Sequence, residues 1–297
     1  TYTNWQLLSP ERSLFNINFA LNRMVGAMAN GTVLEERLEY AVGVFDGPRN
    51  SFRDTNTAKD VVAFLNYKPW RLDDKSFNIG GSVAYGHQDN PLRPAALRTS
   101  ANASTNRLNE DTTYNRANVP FLEFNEGVRE LGVRNLWELH TSLYLGPLTV
   151  LAAWDSGYEG YARTPDGNSV RVPVEGYHVQ VGYMLTGETI PGPVDKRPLR
   201  RFDPQNPCDG PGAWQVVGRY SFLNLGEEVF TADLADPDLW TRRVQMVDLG
   251  VNWYFNRFTS VTFNWQHAMF ATPVAYNRVP NLHRDSDLFW WRLNLIF

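Results

Sequence analysis

Apolar and polar positions alternate along most of this chain. The pattern is clearest at the end, in Asp287-Leu-Phe-Trp-Trp-Arg-Leu-Asn-Leu-Ile-Phe297. There Phe289, Trp291, Leu293, Leu295 and Phe297 share one side, and Trp290, Arg292, Asn294 and Ile296 share the other. Period-two segments recur and helical periodicity is nearly absent, which predicts about eleven strands. They fall at residues 22–29, 37–45, 61–68, 77–86, 136–145, 148–155, 176–185, 214–223, 244–255, 258–268 and 288–297. Tyr177, Val179, Val181, Tyr183 and Leu185 oppose His178, Gln180, Gly182 and Met184. Trp214, Val216, Gly218, Tyr220 and Phe222 oppose Gln215, Val217, Arg219 and Ser221. Trp253, Phe263, Trp265, Trp291 and Leu295 are expected on the apolar face. The polar face carries single charges at Glu138, Arg219, Asp248 and Arg292.

A soluble sandwich would show the same alternation with its polar face outward. Strands of about nine to eleven residues with aromatics near their ends instead suit the wall of a transmembrane β-barrel, with lipid on one face and a wet lumen on the other. Connection lengths strengthen that reading. The links at Gly31, 72–76, Gly146-Pro147 and Asn256-Arg257 are short, whereas 46–60, 87–135, 155–175, 224–243 and 271–287 are long and polar. Outer-membrane barrels have short periplasmic turns and long external loops. One segment breaks the alternation: 186–213 is long where a short turn belongs. An odd strand number is also unexpected, because bacterial single-chain barrels have even numbers. Front strands are therefore expected outside this sequence.

Composition narrows the chemistry. There are 10 Trp, 13 Tyr and 17 Phe, yet no stretch approaches the ~20 apolar residues of a membrane helix. With 28 basic and 32 acidic residues, no strongly basic domain marks nucleic acid as a partner. The single Cys208 has no partner for a disulfide or a cysteine metal cluster. HExxH, P-loop and nucleophile-elbow motifs are absent, so neither enzyme chemistry nor a cofactor is indicated. The five His are scattered, and His178 reads as a polar wall residue. Asp285-Ser286-Asp287 reads as a solvated loop. The chain opens Thr-Tyr-Thr-Asn-Trp, without Met or a signal peptide, so it is either mature or lacks its front end.

An ordered set of short motifs resembles the phosphate- and polyphosphate-selective porins, the O and P porins of bacterial outer membranes. The matching pieces are Glu11-Arg-Ser-Leu14, Leu38-Glu-Tyr-Ala-Val-Gly-Val-Phe45, Ile79-Gly-Gly-Ser-Val-Ala-Tyr85 and Glu138 with Gly146-Pro147-Leu148. Gly182-Tyr-Met-Leu-Thr-Gly-Glu188, Gly212-Ala-Trp-Gln-Val-Val-Gly-Arg-Tyr-Ser221 and Leu249-Gly-Val-Asn-Trp-Tyr-Phe255 complete the set. The resemblance implies a sixteen-stranded all-β antiparallel meander barrel, of which this chain supplies the last eleven strands as one domain. It also implies a bacterial outer-membrane location, outer-membrane lipid around the wall, a homotrimer, and passive diffusion of small anionic or polar solutes, phosphate or polyphosphate among them.

Rings of Lys and Arg select anions in narrow pores. The family's counterpart of 186–213 folds into the lumen, and here that segment holds Lys196, Arg197, Arg200 and Arg201 between prolines that stiffen the chain. It is the first candidate for a pore constriction, with a solvated periplasmic loop as the alternative. The second is 87–135, which folds inward in the family and carries Arg93, Arg98, Arg107 and Arg116, nearly cancelled by Asp89, Glu110 and Asp111. The family's phosphate site is rich in lysine. This chain has few lysines, and Lys59 and Lys68 lie near the third strand. The rival from another class is a structural or adhesive outer-membrane barrel plugged by its own loops.

Overall fold

The computed structural model describes residues 7–21, 23–47, 57–72, 74–100, 119–163, 167–193, 196–275 and 281–296. A short helix α1 (Leu14–Phe19) comes first, with Ser13 as its N-cap: the Asn16 amide donates to Ser13 Oγ at 3.4 Å. Strands β1 (Gly26–Val33), β2 (Leu38–Phe45), β3 (Asp60–Arg71) and β4 (Lys75–Asn90) follow. The short β5 (Leu97–Arg98) and β6 (Pro120–Leu122) pair only with each other. Then come β7 (Arg129–Leu145), β8 (Leu148–Ala162), β9 (Val170–Met184), β10 (Ala213–Leu225), a single helical turn α2 (Glu228–Thr231), β11 (Arg243–Tyr254), β12 (Thr259–Val274) and β13 (His283–Leu295). Among the described residues no helix is long and apolar enough to cross a membrane.

Leaving out β5 and β6, the strands form one 11-stranded antiparallel sheet in which each pairs with its neighbours in sequence, from β1 to β13. β1 and β13 are its two edges and do not pair, so the sheet is open. Directly paired residues share a face, so register carries the alternation across the sheet. Gln180, Arg219, Asp248 and Gln266 thus form one inward row, and Val181, Gly218, Leu249 and Trp265 lie beside it facing outward. Trp253, Phe263, Trp265, Trp291 and Leu295 all face outward. Trp291 is 70% exposed and Leu295 53%, values that match a wall waiting for lipid rather than a water-facing surface.

Several boundaries differ from the expectation. The first turn is not at Gly31, which pairs with Tyr40 inside β1–β2. It lies at residues 34–37, where Leu34, Glu35 and Glu36 all have positive φ, and the Arg37 amide donates to the Leu34 carbonyl at 3.1 Å. β4, β7, β8, β9 and β12 run to 15–17 residues. A strand of that length, tilted about 45°, rises roughly 35–40 Å, more than the ~25 Å apolar band of a barrel, so the long-loop ends stand clear of the membrane. The hairpin at Gly146-Pro147 is as expected, with Gly146 at φ +54 and nothing near its missing Cβ. Phe297, expected in the last strand, lies outside the described residues.

Candidate functional site

The inner face is built from alternate residues of every strand, and three segments are laid against it. The first is 7–19. Gln180 Nε2 donates to Ser9 Oγ at 2.7 Å, Asn252 Nδ2 to the Leu8 carbonyl at 2.8 Å, and Arg219 Nη1 to the Glu11 carbonyl at 2.6 Å. Arg292 donates to the Pro10 carbonyl. Four donors on β9, β10, β11 and β13 therefore hold one short stretch of chain across the wall. α1 continues that stretch and buries Leu14, Phe15 and Phe19 against Leu97, Phe121, Leu122, Leu223 and Met246. Each such side chain contributes at most about 1.5–3 kcal/mol from area removed from water.

The second segment is the long connection between β4 and β7. Its described ends lie over the inner face, where Leu97, Phe121, Leu122 and Phe124 join the same apolar cluster. The Arg98 amide donates to Asn18 Oδ1 at 2.7 Å and Asn18 Nδ2 returns a bond to the Arg98 carbonyl at 2.9 Å, tying this loop to α1. Arg98 is half-buried there. Arg93 is exposed and donates to the Phe124 carbonyl. Arg107 and Arg116 lie outside the described residues.

The third is the segment between β9 and β10. Its first part crosses the short-turn end of the inner face. The Ile190 amide donates to the Gly146 carbonyl at 2.9 Å, Ser76 Oγ donates to the Pro191 carbonyl at 2.6 Å, and Ile190 packs among Tyr144, Met184 and Tyr254. Lys196 Nζ sits 5.9 Å from the centroid of the inward Tyr254 ring. Arg197, Arg200 and Arg201 are exposed on the part that follows.

The charged wall residues fall into pairs. Arg219 Nε lies 3.0 Å from Asp248 Oδ2, and both side chains are at most 2% exposed beneath residues 8–11. Asn264 Nδ2 donates to Asp248 Oδ1 at 3.2 Å. Nearer the long-loop end, Arg134 pairs with Asp60 and donates to the Gly47 carbonyl at 2.8 Å, while Gln88 Nε2 donates to the same carboxylate at 3.0 Å. On β2 and β3, Glu39 accepts from Lys68 and, at 2.8 Å, from Asn66. On β7, His140 Nδ1 is 2.9 Å from Glu138 Oε1, and Glu138 faces Asp155 across the β7–β8 ladder. Lys68, Glu39, Glu138 and His140 keep 19–35% of their side-chain surface open to the lumen. Lys68, Arg134 and Arg219 each face a carboxylate and Arg292 donates to the Pro10 carbonyl, so the positive charge of the first three is cancelled on the wall. Among the described residues no cluster of His, Cys, Asp and Glu is suited to hold a metal.

Sequence reasoning put Glu138, Arg219, Asp248 and Arg292 on the polar face, and the structure places all four inward. It did not anticipate that Arg219 and Asp248 would be covered. It also missed Arg134, Asp60 and the inward stretch 7–19. The only signal available for that stretch was the apolar Leu14, Phe15 and Phe19 outside any strand.

A meander of strands with an apolar outer face, an ion-paired inner face and segments folded onto that inner face defines the wall of an outer-membrane β-barrel. A family model for the phosphate-selective porins O and P matches residues 2–279, and the chain belongs to that family. Its place is the bacterial outer membrane. Porin O of Pseudomonas aeruginosa is 27% identical over 164 residues, covering 55% of this chain and 35% of that protein. The matched region thus spans about a third of that relative's length. Among solved structures, the in-vitro folded OmpT, an outer membrane protein of Vibrio cholerae, aligns over 98% of this chain and 74% of its own, with 10% identity and a TM-score of 0.46. A porin crystal structure aligns over 90% of this chain and 61% of its own, with 13% identity and a TM-score of 0.44.

Proposed function

We propose that the chain forms most of the wall of a porin that passes small anionic or polar solutes by diffusion. Strands outside this sequence complete the barrel, and three barrels assemble together. The observation that carries the reading is the division of faces: Tyr177, Val179, Val181 and Tyr183 outward, against the partly open Glu39, Lys68, Glu138 and His140 inward. The open edges β1 and β13 support completion by further strands, since each unpaired backbone group in hydrocarbon costs several kcal/mol, by order of magnitude. No covalent step and no cofactor enter this function.

Anion preference in this reading is weak. The field comes chiefly from Lys196 at the inner rim, with Arg93, Arg98 and Arg197 contributing through longer, more screened distances, while Arg200 and Arg201 lie past the rim and outside the pore. Phosphate is one solute within that class. The chain's four lysines (Lys59, Lys68, Lys75 and Lys196) argue for general anion passage over a lysine-lined phosphate site. A second reading, a structural barrel plugged by its loops, draws support from the apolar cluster over β9–β12. Planar-bilayer recording separates the two. The porin gives ohmic conductance steps with a reversal potential shifted slightly toward the anion, and Lys196→Gln reduces the shift. Folded protein that inserts without conducting would favour the plugged barrel.

A further inference from the structure

The basic segment 196–203 does not stay on one side of the wall. Lys196 is at the inward Tyr254, but six residues later the chain has passed over the rim to the outer face. Phe202 packs edge-on against Trp253 with ring centroids 4.8 Å apart and lies 5.4 Å from Phe255. Trp253 faces outward, paired across the ladder with Trp214 and stacked on it at 4.7 Å. The Phe202 amide donates to the Phe255 carbonyl at 2.8 Å. The Pro211 carbonyl accepts both indole N–H groups, from Trp253 at 2.9 Å and Trp214 at 3.1 Å. The strap is therefore fixed to the outer wall at Phe202 and again at Pro211. Just before the Phe202 anchor, between it and Lys196, Leu199 is 72% exposed and Arg200 and Arg201 are exposed. Among the described residues neither arginine has a carboxylate partner; Arg200 reaches only the Asp209 carbonyl, at 3.5 Å.

Aromatic rings collect where a barrel wall meets the headgroups. An exposed leucine followed by two arginines that lack a carboxylate partner among the described residues presents, on that girdle, an apolar contact to acyl chains and two cations to the headgroup layer. We infer that residues 199–202 and the Trp214–Trp253 pair form a docking surface for an anionic phospholipid headgroup of the periplasmic leaflet. Charge complementarity selects this occupant: Arg200 and Arg201, without a carboxylate partner among the described residues, bring positive charge to the level of the wall where the phosphates of the periplasmic leaflet lie. Guanidinium groups bind phosphate oxygens in a two-pronged geometry, and the aromatic anchor keeps them from swinging back under the lumen. The inference rests on the outer-membrane reading of the wall but not on what the lumen conducts.

The test is native mass spectrometry of the folded full-length porin, released from detergent with an equimolar mixture of phosphatidylglycerol and phosphatidylcholine. The wild type should retain phosphatidylglycerol preferentially. Each arginine near an anionic headgroup is worth about 5-fold in binding, so Arg200→Gln/Arg201→Gln should reduce that preference by about 25-fold. Conductance and resistance to unfolding in detergent stay unchanged in that variant, which separates failure of this inference from failure of the porin itself. Leu199→Asn should weaken retention of both lipids. Equal retention of the two lipids by the wild type, or an unchanged preference in the double variant, would overturn the docking surface. Displacement of the lipid by millimolar inorganic phosphate, with no effect of Leu199→Asn, would overturn it too, in favour of a site for free phosphate.

Discussion

Arg219→Ala is the most informative single change to the wall. In the native protein this guanidinium does two jobs: it neutralises Asp248, which is 1% exposed, and it donates at 2.6 Å to the Glu11 carbonyl of the inward segment. Removing it leaves Asp248 buried with only Asn264 and Gln266 as neutral donors. Breaking a buried pair from one side costs about 3–5 kcal/mol. In urea titrations of the folded porin, followed by tryptophan emission, that loss should lower the midpoint by about 1 M or more. It should also loosen residues 8–11 from the wall and raise single-channel conductance. The double variant Arg219→Met/Asp248→Leu separates the two effects. Replacing both partners with apolar groups recovers most of the stability, but the Glu11 carbonyl still lacks its donor, so conductance stays raised. A single variant with wild-type midpoint and conductance would refute both the burial of the pair and its grip on the segment.

Further changes probe other parts of the wall. A Cβ at Gly86 would fall 1.6 Å from Asp60 Oδ1 and 3.0 Å from Asp60 Cα, so Gly86→Ala must pull Asp60 off Arg134, destabilising the porin by about 3 kcal/mol in the same titration. Phe15→Ala removes a ring from the apolar cluster under the long loops and should cost about 3 kcal/mol. Proteolysis of residues 119–128 should accelerate in that variant. Lys68→Met leaves the Glu39 carboxylate unopposed on the partly open wall. The reversal potential should then move toward cations, more so at 10 mM than at 1 M salt because screening shortens the reach of the charge.

Which parts of this architecture were legible in the amino-acid order follows from how each part is held together. Strands with one face in lipid and one toward a polar interior must alternate, so β9, β10 and β12 could be read residue by residue. Gly146 announced its hairpin because the backbone there needs positive φ. The β1–β2 turn was misplaced because Leu34, Glu35 and Glu36 adopt positive φ without any glycine, while Gly31, the residue that looked like a turn, lies inside the ladder. The long-loop ends of β4 and β7 were cut short because beyond the membrane band both faces can be polar and the alternation fades. The inward stretch was illegible for another reason. Three of its four tethers end on the carbonyls of Leu8, Pro10 and Glu11, and a carbonyl is the same whatever the side chain. The basic run at 196–201 was visible as charge, but its passage from the lumen to the outer rim depends on Phe202 meeting Trp253 more than fifty residues later.

The central claim is that one face of the sheet lines an aqueous path and the other meets lipid. Cysteine accessibility tests it most directly. With the exposed Cys208 replaced by Ser, a single cysteine is placed at His140, on the inner face, or at Ile79, which is outward and 52% exposed. The porin in a planar bilayer is then treated with a charged, membrane-impermeant thiol reagent. Rapid modification and a stepwise fall in current are expected for His140→Cys, and neither for Ile79→Cys. Modification at Ile79→Cys with His140→Cys inert would contradict the central claim.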